Sequence, residues 1–173
     1  MGGVGGYFGG LLAKAYFESD AIEIVFIARG ETQKAIAKNG LKIITDTTEI
    51  SAFPSLVSNN PEEIGKLNYL ICATKTYDIE TSFETIKNCI TTNTIILPLY
   101  NGVDATERIQ KLFSENTVLQ GCVYIVSMIE SPGVIKKMGS YEKLFFGSKN
   151  APVSKLNVLQ SIFEKASVER YLV

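Results

Sequence analysis

Small and apolar residues dominate positions 4–17, a pattern that fits a buried helix, and the polar cluster Glu18, Ser19 and Asp20 ends it before an apolar run at 22–28. The order helix-then-strand recurs along the chain. Residues 31–39 read as a short helix with Gly40 just past its end, where a left-handed backbone costs a glycine nothing. Residues 41–44 and 50–57 read as extended, Pro61 opens a helical turn, and 67–73 form an apolar strand. The pattern then predicts a helix over 77–90, a strand over 94–99 and a helix over 103–113. Residues 117–128 are extended, Pro132 and Gly133 make a turn into a strand at 134–138, and a helix at 153–166 and a strand at 168–172 follow.

This alternation predicts an α/β fold of the Rossmann-like, doubly wound kind: one mostly parallel sheet with an antiparallel edge made by the pair around Pro132 and Gly133. A chain of 173 residues fits one domain, residues 1–173. The 17 basic and 18 acidic residues leave a net charge of -1 with no basic run, which argues against nucleic acid as a partner. No apolar stretch approaches the ~20 residues of a membrane helix. The first basic residue is Lys14, so the start does not read as a secretory leader, and a cytoplasmic protein is expected. Cys72, Cys89 and Cys122 are widely spaced and read as small core residues. The absence of histidine excludes Ser-His-Asp and Cys-His catalysis and leaves no zinc site of the usual kind.

Candidate chemistry begins at the N-terminus. The opening Met-Gly-Gly-Val-Gly-Gly matches most of the dinucleotide fingerprint GxGxxG, with Gly2 as its second glycine and Gly5 as its third; the first is absent. Gly2 lets the backbone approach a pyrophosphate, Gly5 lets helix and sheet pack closely, and the helix beginning near Val4 offers its free N–H groups to the anion, so Gly2, Gly3, Val4 and Gly5 are candidate cofactor contacts. A glycine-rich start is also compatible with a mobile tail or a plain packing site. Arg29 follows the next strand at the place where an arginine accommodates the 2′-phosphate of NADP, whereas an acidic residue would bond the ribose of NAD. Lys75 and Asn101 lie just past two further strands, and in an open parallel sheet such ends face one crevice. Taken singly, Arg29 and Lys75 also read as solvated loop residues, and Asn101-Gly102 as an ordinary turn.

The strings Gly-Gly-Val-Gly-Gly-Tyr-Phe-Gly-Gly, Phe-Ile-Ala-Arg-Gly, Ala-Thr-Lys-Thr-Tyr-Asp, Leu-Pro-Leu-Tyr-Asn-Gly-Val and Ser-Pro-Gly-Val-Ile, in this order, resemble the N-terminal domain of the ketopantoate reductase (2-dehydropantoate 2-reductase) family. The resemblance implies NADPH-dependent reduction of a 2-keto acid, 2-dehydropantoate, to pantoate on the route to pantothenate and coenzyme A. It implies a 2′-phosphate contact at Arg29, a cofactor contact at Lys75, a contact of Asn101 with both nicotinamide and substrate, and a place beside the cofactor for Ser127.

The family also has a central strand before the glycine turn and a helical domain after this region that carries the general-acid lysine. Neither Lys155 nor Lys165 lies in a matching motif, so no catalytic residue is expected in these 173 residues, and little turnover by them alone. Without a central strand, two neighbouring strands would keep unpaired edges, and these or an apolar face would favour a homo-oligomer. A reductase of another keto or hydroxy acid, and a non-catalytic NADP-binding or interaction module, remain alternatives.

Overall fold

The computed structural model describes residues 1–100 and 104–173. Helix α1 (Gly3–Ala15) starts one residue earlier than expected, with Gly2 as its extended N-cap. Strand β1 (Val25–Ile27) leads into α2 (Gly30–Asn39), which Gly40 ends with φ 75°, and into β2 (Leu41–Ile44). The stretch expected to be one extended segment at 50–57 is two strands: β3 (Glu49–Ala52) runs antiparallel to β2, while β4 (Leu56–Ser58) runs parallel to β1. Pro54 lies between them; lacking an N–H, it interrupts the ladder where the chain changes sheets.

Helix α3 (Pro61–Ile64), capped by the Asn60 side chain, precedes β5 (Leu67–Cys72). The helix expected over 77–90 is shorter. A 3-10 turn at Thr76–Asp78 leads into α4 (Ile79–Ile86), a second such turn spans Lys87–Cys89, and Ile90 already begins β6 (Ile90–Pro98). The β-branched run Ile90, Thr91, Thr92 favours strand over helix at that end. Helix α5 (Ala105–Leu112) begins after residues 101–103, so the start expected at Val103 lies outside the described residues. Strands β7 (Thr117–Val118), β8 (Gln120–Ser131) and β9 (Val134–Gly147), helix α6 (Val153–Lys165) and strand β10 (Arg170–Leu172) complete the order. Strand β9 runs well past the expected 134–138.

The expected α/β fold with mostly parallel strands and an antiparallel pair is present, its strands divided among three sheets. β1 and β4 form one, β5, β6 and β7 a second, and both are parallel. Their strands nevertheless serve the same two cores. Phe26, Val57, Tyr69, Ile71, Ile95 and Leu97 turn to the core around α1 and α6, and Val25, Ile27, Leu56, Leu67, Leu70 and Ile96 to the core around α4 and α5. They are thus two parts of one interrupted layer buried on both faces, as parallel sheets are. Among the described residues no strand lies between β1 and β5.

The third sheet is organised by β9, which pairs with β8 antiparallel and with β2 and β10 in parallel. Its inner face holds α1. A Cβ at Gly3 would lie 2.6 Å from the Ser127 carbonyl oxygen, one at Gly6 2.6 Å from the Ile135 side chain, and one at Gly10 2.6 Å from Ile43. Close packing therefore falls to Gly3, Gly6 and Gly10 rather than to Gly5, whose Cβ would make only ordinary contact. On the helix's other flank Phe8 and Leu12 are buried, each contributing about 1.5–3 kcal/mol.

A polar tie crosses the same interface. The Tyr7 hydroxyl donates to Glu142 at 2.6 Å, and the buried Lys137 ammonium meets that carboxylate at 2.9 Å. The outer face of this sheet is apolar where water-facing strands are normally polar: Tyr124, Val126, Met128 and Met138 are exposed, and Phe145 stacks on Tyr171 at 4.7 Å. Cys122 is exposed on that row as well, so of the three cysteines only Cys72 and Cys89 are core residues.

Candidate functional site

The site is built from the N-terminus of α1 and the C-terminal ends of β1, β5 and β6. Gly2 has no side chain to cap α1, and the first backbone bond of the helix runs from the Gly6 N–H to the Gly2 carbonyl at 2.8 Å. The N–H groups of Gly3, Val4 and Gly5 therefore stand free at the positive end of a 13-residue helix, an arrangement that attracts an anion. The turn lies tight against β5, since a Cβ on Gly2 would lie 3.2 Å from the Ala73 carbonyl oxygen.

Arg29 follows β1 as the N-cap of α2, through its backbone alone. Its side chain is exposed. Lys75 follows β5 and N-caps the short turn Thr76–Asp78, and it too is exposed. Among the described residues neither cation has an ion-pair partner. Arg29 and Lys75 thus follow β1 and β5, and Ala73 at the end of β5 abuts the uncapped helix start. Asn101, expected beside them, lies outside the described residues.

Ser127 sits within β8 rather than near its end. Its backbone carbonyl abuts Gly3, and its buried hydroxyl is one of two buried side-chain polar atoms without a hydrogen-bond partner among the described residues. An unpartnered buried hydroxyl costs about 1–3 kcal/mol, and this one belongs to the residue whose backbone abuts the helix start.

Sequence reasoning missed one pair here. Thr74 and Tyr100, each next to a candidate residue, join hydroxyls at 3.0 Å across the ends of β5 and β6. Their positions beside Lys75 and Asn101 were the available signal. Tyr100 is buried, and burial together with nearby Cys72 pushes its hydroxyl up to about 12 despite the Thr74 hydrogen bond. A cavity of about 300 Å³ lies elsewhere, between the end of α2 and the β8–β9 turn, lined by Asn39, Gly40, Lys42, Ser51 and Gly133 among others.

A charged or uncapped anion site of this shape, at strand ends of an interrupted α/β layer, can hold the pyrophosphate and one further phosphate of a dinucleotide. Comparison with known proteins gives the family. Residues 1–151 match the family model described as Ketopantoate reductase PanE/ApbA. The chain is 28% identical over 169 residues to the uncharacterized oxidoreductase YkpB of Bacillus subtilis, covering 97% of this chain and 54% of that protein. It is 25% identical over 171 residues to the 2-dehydropantoate 2-reductase of Pyrococcus abyssi, covering 99% and 53%. The crystal structure of 2-dehydropantoate 2-reductase from Porphyromonas gingivalis W83 superposes with a TM-score of 0.90 at 35% identity, over 99% of this chain and 61% of that one. The chain therefore spans about half the length of the curated relatives it matches. The family model matches well over half of the chain, and the chain therefore belongs to the ketopantoate reductase family, with the fold of that family's N-terminal Rossmann-like part.

Proposed function

We propose that this chain binds NADPH and serves the reduction of a 2-keto acid, 2-dehydropantoate to pantoate, within the route to pantothenate and coenzyme A. What supports the reading is the uncapped start of α1 together with Arg29 and Lys75, unpaired among the described residues, at the ends of β1 and β5. In this assignment the N–H groups of Gly3, Val4 and Gly5 hold the pyrophosphate, with Gly2 allowing close approach. Arg29 takes the 2′-phosphate, which its planar fork suits better than a lysine would. Lys75 and the orphan Ser127 hydroxyl make further cofactor contacts, and Asn101 meets the nicotinamide and the substrate. When bound, NADPH supplies the hydride. No residue of these 173 is assigned as the proton donor, and hydride transfer needs the ketone and an acid held in near-attack geometry. We therefore expect little NADPH oxidation when ketopantoate is added to this chain alone.

The test is a fluorescence titration with NADPH and NADH. NADPH is expected to bind tenfold or more tightly, and Arg29→Ala to erase the preference, because a charged hydrogen bond contributes about 1.5–3 kcal/mol. Equal affinity of the unmodified chain for both cofactors overturns the assignment of Arg29. A cytoplasmic setting fits this metabolic role. The exposed apolar face of β8 and β9 supports self-association, which sedimentation over a concentration series reads directly.

A further inference from the structure

We propose that the hydroxyl bridge between Thr74 and Tyr100 is a positioning element of the cofactor site, fixing the ends of β5 and β6 so that Lys75 meets the nicotinamide-side half of the dinucleotide. The inference rests on the cofactor reading above.

The bridge stands where the backbone ladder gives out. Strands β5 and β6 are paired up to Cys72 opposite Pro98, and Pro98 has no N–H to donate. The Leu99 N–H, donating to the Cys72 carbonyl at 2.7 Å, is the last backbone tie between these ends among the described residues. One step further toward the crevice, the two hydroxyls are the tie between these ends among the described residues, at 3.0 Å. The tie is rigid on the Tyr100 side. Its ring is 6% exposed and belongs to the core that includes Cys72, Ala105 and Ile109, so the hydroxyl is delivered to the crevice edge from a fixed base. Burial also keeps that hydroxyl protonated at any physiological pH.

On the other side the consequence is immediate. Thr74 lies between Ala73, whose carbonyl abuts the Gly2 turn, and Lys75, whose carbonyl accepts from the Asp78 N–H at 2.9 Å to start the next turn. A shift of Thr74 moves both. Lys75 follows β5, just past whose end Ala73 abuts the start of α1 at Gly2 and Gly5, and Arg29 follows β1, which lies in a different sheet and whose Phe26 lies against Gly9. A dinucleotide whose 2′-phosphate lies at Arg29 and whose pyrophosphate lies on α1 therefore carries its second half past Lys75. The bridge acts on that half.

This division supplies the experiment. Adenosine 2′,5′-bisphosphate contains the half held by Arg29 and lacks the other, so affinities for it and for NADPH are measured by calorimetry on the same proteins. Tyr100→Phe keeps the buried ring, and Thr74→Val keeps the volume; both remove the bridge. Each is expected to weaken NADPH about three- to tenfold, the range of a net hydrogen bond, while leaving the bisphosphate within twofold. The double variant is expected to be no weaker than either single one, and Thr74→Ser to restore binding. NADPH affinity unchanged in both single variants overturns the proposal, and so does a parallel loss for both ligands, which is what a merely structural pair would give. If the unmodified chain binds neither ligand, the cofactor reading itself fails, a result distinct from either of these.

Discussion

Helix α1 meets the rest of the molecule by opposite rules along its length. From Gly6 to Ala13 each residue is set by a neighbour: Gly6 and Gly10 have no room for a Cβ against Ile135 and Ile43, Phe8 and Leu12 fill the core, and the Tyr7 hydroxyl is tied to Glu142. From Gly2 to Gly5 the helix start is uncapped, and the cations beside it are unpaired among the described residues. The body is determined by what touches it; the start also packs closely, Gly3 against Ser127 and Gly2 against Ala73, but is distinguished by the N–H groups left unsatisfied. Stability and binding are thereby separated on one element, and substitutions in the two regions should move different observables.

The largest effect is expected in the body. Lys137→Met takes the cation away from a Glu142 carboxylate that is only partly buried, and removing one partner of a fully buried pair costs about 3–5 kcal/mol. Glu142 retains some contact with water, which places the loss near the lower end, and urea unfolding measures it. Gly10→Val comes next. Its Cβ would lie 2.6 Å from Ile43 and 2.9 Å from Leu41, and overpacking of that kind costs about 1–3 kcal/mol. Leaving glycine inside a helix returns about 0.5–1 kcal/mol, too little to reverse the sign. Whatever fraction of Gly10→Val folds should bind NADPH as the unmodified chain does. A loss of affinity in that folded fraction would break the separation.

Acid should probe the same tie more gently. Burial pushes the Glu142 pKa up, but the Tyr7 hydroxyl and the Lys137 ammonium outweigh it and hold the carboxyl below its ordinary 4.5. A folded-state pKa lowered in this way adds stability that is fully present above 4.5 and is lost as pH falls through the folded value. Stability measured from pH 6 downward should therefore fall more steeply for the unmodified chain than for Glu142→Gln. Parallel curves would show that the carboxylate is not held.

The two regions also differ in how far they can be read from sequence. The strand-end cations were legible because an open α/β layer gathers strand ends at one crevice, so Arg29 and Lys75 needed only the strands before them. The packing roles of the glycines were not legible, since Ser127, Ile135 and Ile43 are far from α1 in sequence and three glycines compete for each role. The Tyr7 and Glu142 pair is likewise invisible at a separation of 135 residues. Local pattern failed in two other places for identifiable reasons. Pro54 split an apparently continuous strand between two sheets. Strand β9 lost its alternation where its register against β8 jumps from Glu142 to Met138, leaving Gly139, Ser140 and Tyr141 bulged out, so its second half did not read as strand.

The smallest expected effect is the sharpest test of the comparison. Arg29→Ala and Lys75→Ala should each change folding stability by less than about 0.5 kcal/mol, the usual range for surface positions without a structural partner. Both side chains are exposed, both residues cap the element that follows through backbone rather than side chain, and neither joins an ion pair among the described residues. Removing either also relieves some repulsion with the positive end of α1, so a slight gain is as compatible with the arrangement as no change. The same two variants should weaken NADPH well beyond any such shift. Were either to cost more than about 1 kcal/mol in urea unfolding, its side chain would have a structural partner, and the start of α1 would obey the same rule as its body.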